Sequence, residues 1–216
     1  DSSRSFFSLR KEIKPMALFV IGDTHLSLSV DKPMDIFGGW KNYMQRLEQN
    51  WRSVVGEQDT VVIPGDVSWG MSLEQAKADF AFLHALPGKK ILMKGNHDYW
   101  WTTKSKMDRF LEECGFDTLT ILHNNAISAE GVSLCGSRGW MFEQGQEHDK
   151  KLIAREAGRI RASLQDAARF GDQEKILFLH YPPIFMQDSI PEFFAVMQEY
   201  GVRRCYYGHI HSNGCR

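Results

Sequence analysis

The chain reads as an α/β domain, and three features of its sequence predict that class. Short apolar runs of strand length alternate with amphipathic stretches of helical spacing, the order that builds a mostly parallel sheet with crossover helices. A polar cluster closes each of the first three runs: Gly22-Asp23-Thr24-His25, Gly65-Asp66 and Gly95-Asn96-His97-Asp98. Ligands of open α/β sheets bind outside the carboxyl ends of the strands, so these clusters belong on one edge. Finally, 216 residues at 43% hydrophobic content can bury a full core in one domain without disulfides or a structural metal.

Taken in order, Ala17 to Ile21 is the first strand. Residues 26–39 read as a loop, with Pro33 and the pair Gly38-Gly39. From Asn42 to Val55, Tyr43, Met44, Leu47, Trp51, Val54 and Val55 recur at helical spacing, which predicts an amphipathic helix. Thr60 to Ile63 is a strand stopped by Pro64-Gly65. Ser72 is a good N-cap, with Glu74-Gln75 near N3, and opens a helix to about Ala85 that ends before Pro87-Gly88. Lys89 to Met93 is the third strand, and a helix from Thr103 to Cys114 closes on Gly115. Thr118 to Leu122, Ala126 to Ala129 and Val132 to Cys135 are short strands, with Glu130-Gly131 as a tight turn. They are expected to be antiparallel and to open a second sheet. A long helix follows from about His148 to Phe170 and stops at Gly171. Strand Lys175 to Leu179 runs into His180, with Pro182-Pro183 forcing an extended exit. Helix Pro191 to Tyr200 and strand Val202 to Tyr207 lead to the closing Gly208-His209-Ile210-His211. Residues 16–216 are expected to form a single domain. Residues 1–15 are expected to be a tag or upstream extension, because Met16 directly precedes the first strand.

Bulk properties exclude several classes. The net charge of −1 gives no electrostatic reason for nucleic acid as a main partner. No apolar run approaches the ~20 residues that span a bilayer. Cys114, Cys135, Cys205 and Cys215 are widely spaced with no Cys-x-x-Cys, against a zinc ribbon or disulfide scaffold. Reduced cysteines fit a cytoplasmic protein.

The polar clusters, with His180 and the closing His-x-His, offer Asp23, His25, Asp66, Asn96, His180, His209 and His211 as candidate metal ligands. The donors are oxygen and nitrogen with no thiolate. That suits Mn, Fe or Zn and is too rich in nitrogen for Ca. Seven side chains exceed the needs of one ion and fit two divalent ions sharing a carboxylate. Two such ions against Asp23 and Asp66 leave about two positive charges, which draw in phosphate esters. In an extended segment His209 and His211 share a side with Ile210 turned away, so the pair can serve both ions.

The blocks D23-T-H25, G65-D66, G95-N-H-D98, H180 and G208-H-I-H211, in that order, resemble the calcineurin-like metallophosphoesterase superfamily over about residues 17–211. The resemblance implies a four-layer α/β/β/α sandwich of two mixed sheets flanked by helices. It implies that Asp23, His25 and His211 hold one metal, that Asn96, His180 and His209 hold the second, and that Asp66 bridges. It further implies His97 as the acid that protonates the leaving group, oriented by Asp98. The implied activity is hydrolysis of phosphate mono- or diesters by in-line attack of a metal-bound hydroxide. Two departures stand out. No acid follows the second block, where Val67-Ser68-Trp69-Gly70 stands, and only five residues follow His211, which carries the expectation of a shortened C-terminus.

Among the remaining residues, Arg138 is a candidate bidentate donor to phosphate or else a surface ion-pair partner. Trp40, Trp69, Tyr99, Trp100 and Trp101 are expected to pack the loops, with one or two, Tyr99 among them, lining the substrate cleft. Lys94, His84, His123 and His148 read as structural. Loops 26–41 and 136–148 are expected to select the substrate. Two alternatives remain: a metal-binding regulatory protein with little turnover, which the intact ligand set opposes, and a metal-dependent nuclease of the same superfamily, which the near-neutral charge opposes.

Overall fold

The computed structural model of the chain describes residues 16–141, 147–185 and 188–211. The expected upstream extension 1–15, the tail 212–216, part of the second loop and the side chain of His148 lie outside the described residues.

The first sheet holds β1 (Leu18–Val20), β2 (Thr60–Ile63), β3 (Lys89–Leu92) and β4 (Leu119–Ile121), in that order and all parallel. Helices α1 (Tyr43–Val54), α2 (Leu73–His84) and α3 (Lys104–Glu113) are its crossovers. This corrects two expectations. The stretch around Leu119 does not open the second sheet, and the first sheet is wholly parallel rather than mixed. Helix α3 carries the chain back along the sheet, so β4 starts at the same end as β3 and pairs Lys90 with Leu119 and Leu92 with Ile121.

The second sheet is mixed. Its strands are β5 (Ala126–Ala129), β6 (Val132–Ser137), β7 (Glu174–Leu179) and β10 (Arg204–Tyr207), in the order β10-β7-β6-β5. Glu130 and Gly131 have φ of 52° and 75°, the two positive values of the tight turn that joins β5 to β6. Helix α4 (Glu147–Asp166), with a 3-10 turn at its end, links β6 to β7, and α5 (Pro191–Glu199) leads into β10. Between them, β8 (Ile184–Phe185) and β9 (Asp188–Ser189) form a small antiparallel ribbon.

Strand residues alternate between two hydrophobic layers. Val61 and Ile63 pack with Trp51, Phe80 and Met107 on the helix side, while Val62 faces Leu134, Ile176 and Phe178 of the opposing sheet. In β7, Ile176 and Phe178 point between the sheets, and Leu177 and Leu179 join Ile160 and Phe193 under α4 and α5. Strands buried on both faces read as continuous apolar runs, as β2 and β7 do. The result is helices, sheet, sheet, helices. The carboxyl ends of β1, β2, β3, β6, β7 and β10 form one seam, because the ligand-bearing loops after them are in mutual contact.

Candidate metal centre

Each candidate ligand lies within a few residues of a strand end, and several stand in unusual backbone. Asp23, His25, Asp66 and His209 have φ of 54°, 43°, 52° and 71°, in the left-handed region that costs a non-glycine residue about 1–2 kcal/mol. Interlocking hydrogen bonds hold them there. His25 N–H donates to the Asp66 carbonyl at 2.9 Å, His209 N–H to Asp23 Oδ2 at 2.8 Å, and His97 N–H to Asp66 Oδ1 at 2.8 Å. The loops approach so closely that a Cβ on Gly95 would lie 2.0 Å from Asp66 Oδ1, and one on Gly65 would lie 2.6 Å from His180 Nδ1. Gly65 and Gly95 therefore stand in their motifs because only a hydrogen fits.

The side chains converge in two groups that share Asp66. One is Asp23, His25, Asp66 and His211; the other is Asp66, His180 and His209. In the first, His25 Nε2 lies 3.2 Å from His211 Nε2 and 3.7 Å from Asp66 Oδ2. In the second, Asn96 Oδ1 lies 2.7 Å from His180 Nε2 and 2.9 Å from His209 Nδ1, and Asp66 Oδ1 is 3.6 Å from His180 Nε2. His209 and His211 thus fall in separate groups, but not through the extended geometry expected. His209 is left-handed, so the backbone kinks there.

The electrostatics call for a cation. Burial, then Asp98 and Asp23, push Asp66 up to about 8, and burial also raises Asp23. Burial and neighbouring histidines push His25 and His180 down to about 3. Neutral His180 has one ring proton. Its Nδ1 faces the Pro64 carbonyl at 3.0 Å and must donate there, which leaves the Nε2 lone pair aimed at the oxygens of Asn96 and Asp66. Buried Asp23 Oδ1, Asp66 Oδ2 and His25 Nδ1 have no hydrogen-bond partner. Lone pairs facing lone pairs in a buried site are relieved by a positive ion, and these oxygen and nitrogen donors fit a divalent one.

Asp98 departs from its expected role. Its carboxylate accepts from the backbone N–H of Asp66 (2.8 Å), Val67 (2.8 Å), Ser68 (3.2 Å) and Gly95 (2.7 Å), and from Trp100 Nε1 (3.0 Å). Those five donors occupy it, and His97 Nδ1 is buried with no partner. Asp98 ties the second and third motif loops together; it does not orient His97. The His97 ring instead packs 4.5 Å from Trp69 and 5.6 Å from His25, measured between centroids.

The model of the family described as calcineurin-like phosphoesterase matches residues 16–213. The chain belongs to the calcineurin-like phosphoesterase family. This family consists of divalent-metal enzymes acting on phosphoesters, and the chain carries a cluster of Asp and His residues that could hold a metal ion. Gene 66 protein of Mycobacterium phage L5 is 46% identical over 52 residues, which is 24% of this chain and 25% of that protein. One solved structure aligns with 89% of this chain and 83% of its own, at 13% identity and a TM-score of 0.54, and shows the shared fold. A protein of unknown function from Aquifex aeolicus is 18% identical over 88% of both chains, with a TM-score of 0.43.

Within this phosphoesterase frame, the remaining candidates separate. Trp69 stacks on His25 at 5.1 Å and Trp40 on His211 at 6.0 Å, so these two indoles wall the first group. Tyr43 Oη donates to the His25 carbonyl at 2.8 Å. Trp100 is core. Tyr99 is 54% exposed, with its ring 6.3 Å from His97, at the rim of the site. The Arg138 guanidinium carbon lies 5.5 Å from the rings of both Trp140 and Tyr181, and Tyr181 packs 4.7 Å from His209. Sequence reasoning missed Tyr181; its place directly after His180 was the available signal. It also passed over Asp79, which takes Ser68 Oγ at 2.5 Å and Leu28 N–H at 2.8 Å and anchors the stretch where the family's further acid is absent. His84 Nδ1 lies 3.0 Å from Thr118 Oγ1, away from the ligand groups.

Proposed function

We propose that the protein is a dinuclear metal-dependent phosphoesterase that hydrolyses phosphate mono- or diesters. The observation that carries this reading is the His180 Nε2 lone pair facing the oxygens of Asn96 and Asp66, at 2.7 and 3.6 Å, in a seam of partnerless buried donors. In this reading Asp23, His25 and His211 would hold one ion and Asn96, His180 and His209 the other, with Asp66 common to both groups. The donor set suits Mn, Fe or Zn. Bound there, two divalent ions supply positive charge for the phosphoryl oxygens and a source of hydroxide at neutral pH.

The protein's own groups do the rest. His97 is the proton donor to the leaving oxygen. Burial and His211 hold its pKa below the ordinary value, and an arriving ester anion opposes both by favouring the charged ring. Trp69 and Trp40 pack against His25 and His211 and hold those two rings in place on one side of the first ligand group. Asp98 fixes the spacing of Asp66 and Gly95. A cytoplasmic location fits the free thiols of Cys114, Cys135 and Cys205.

The test loads purified protein with Mn, Fe or Zn, then measures bound metal and hydrolysis of p-nitrophenyl phosphate and bis-p-nitrophenyl phosphate. Wild type should bind two ions per chain and turn over at least one ester. Asp66→Ala should lose metal and activity together. His97→Ala should keep its metal and lose about 10²–10⁴ in kcat. Wild type that binds no metal, or whose hydrolysis ignores chelators, refutes the reading.

A further inference from the structure

Beside the metal centre lies a cavity of about 550 Å³ that the mechanism above leaves unused. Among the described residues, its walls include Lys94, Arg138, Arg155 and Arg159, against a single acid, Glu156. Glu156 is already engaged. Its side chain is 1% exposed, pairs with Arg159, stands 4.0 Å from Arg155 Nε, and accepts from Ser137 Oγ at 2.9 Å. Among the described residues, neither Lys94 nor Arg138 forms an ion pair. Arg155 and Arg159 sit one turn apart on α4 and reach the cavity together. His123, in the same wall, is held down at about 4 by burial, then by Arg159, Lys94 and Lys104, in keeping with a positive interior.

The cavity belongs to the same seam as the metal ligands. Lys94 stands two residues before Asn96 on the β3 loop. The Arg138 carbonyl accepts from both His180 N–H and Tyr181 N–H at 3.0 Å, which pins Arg138 beside the second ligand group. A pocket of this size holds more than an ion, and planar guanidinium groups suit phosphate oxygens. Resting on the phosphoesterase reading, we propose that this cavity binds a second phosphate group of the substrate, so that the enzyme acts on small molecules carrying two phosphates.

Sugar phosphates probe this without requiring turnover. Fructose 1,6-bisphosphate and fructose 6-phosphate are compared as inhibitors of metal-dependent p-nitrophenyl phosphate hydrolysis. In parallel, calorimetry measures inorganic phosphate binding to the metal-free protein. Arg155→Gln is the variant of choice, because its side chain is 55% exposed and Glu156 keeps Arg159. The bisphosphate should inhibit wild type at least about tenfold more tightly than the monophosphate, the worth of one charge-assisted hydrogen bond. Arg155→Gln should remove most of that ratio and weaken phosphate binding to the metal-free protein. Equal inhibition by the two sugars overturns the proposal, as does a ratio that neither Arg155→Gln nor Lys94→Gln changes. Phosphate binding that weakens in Arg155→Gln without any shift in the ratio also overturns it, and marks a free-anion site. Failure of p-nitrophenyl phosphate hydrolysis in metal-loaded wild type refutes the phosphoesterase reading instead, and calorimetry still reports on the cavity.

Discussion

Gly95→Ala is the sharpest test of how the seam is built. Gly95 does not need a positive φ, so alanine meets no backbone penalty and the effect is purely steric. The new Cβ would stand 2.0 Å from Asp66 Oδ1, 2.2 Å from Asp66 N and 2.7 Å from Asp66 Cγ. Ordinary contact begins at 3.4 Å, so the two loops must part by more than 1 Å. They cannot part freely. Asp98 holds Asp66 N at 2.8 Å and Gly95 N at 2.7 Å through the same Oδ2 atom, and His97 N–H holds Asp66 Oδ1. Overpacking of this kind costs about 1–3 kcal/mol, and loss of one of these charge-assisted bonds adds about 1.5–3. The expected loss is therefore about 2.5–6 kcal/mol. A displacement of ~1 Å at a bridging carboxylate should also cost about 10²-fold in rate and weaken metal retention. Urea melts of the metal-free protein give the first quantity, and metal content with p-nitrophenyl phosphate turnover gives the second. Gly95→Ala protein with wild-type stability and metal content would refute the close approach of the two loops.

Gly158→Ala should do the opposite: it is an exposed position inside α4 with nothing within 4 Å of the added Cβ, so a gain of about 0.5–1 kcal/mol is expected in urea melts. Folded Asp66 keeps its proton up to about 8 while the unfolded side chain loses it near 3.8, so this group's contribution to stability is largest at low pH and falls as pH rises to about 8. In metal-free protein, the stability difference between wild type and Asp66→Asn should therefore shift by about 1.5 kcal/mol against wild type from pH 6.5 to 8. Phe178→Ala, fully buried between the sheets, should cost about 3–5 kcal/mol in the same melts, whereas an effect below about 1 kcal/mol would contradict the sandwich core.

What the sequence made legible was local. Periodicity placed the α-helices and the strands of the two four-stranded sheets, because strands buried on both faces are apolar throughout and helices are apolar on one stripe; the ribbon of β8 and β9 was not legible. The ordered motifs picked out Asp23, His25, Asp66, Asn96, His180, His209 and His211, and the structure gathers all of them along one seam. The direction of β4 was not legible, since an apolar run such as Leu119 to Ile121 pairs equally well either way and only the α3 crossover decides. Nor was the engagement of Asp98, which follows from five donors, four of them backbone N–H groups from two loops far apart in sequence. Left-handed backbone at Asp23, His25, Asp66 and His209 leaves no mark in residue type, because it is imposed by the contacts between loops. The cationic cavity escaped for a similar reason: Lys94, Arg138, Arg155 and Arg159 are scattered in a chain whose net charge is −1.

The strain and the seam explain each other. Four candidate ligands in left-handed backbone cost about 1–2 kcal/mol apiece, a large share of the ~5–15 kcal/mol by which a domain is stable. Such conformations persist only where surrounding contacts over-determine them, and here those contacts cross between motif loops. Asp98 ties the β2 loop to the β3 loop, and Asp23 ties the β1 loop of the first sheet to His209 of the second. The proposed ion sites extend the same pattern. The Asp23, His25 and Asp66 set of the first sheet meets His211 of the second, while Asn96 and Asp66 meet His180 and His209. Each ion would then bridge the two sheets, and its binding free energy would add to the stability of the folded seam. The backbone strain, the partnerless donors and the raised pKa of Asp66 are thus three aspects of one arrangement: a seam shaped by hydrogen bonds between loops, whose donors are placed to receive positive charge.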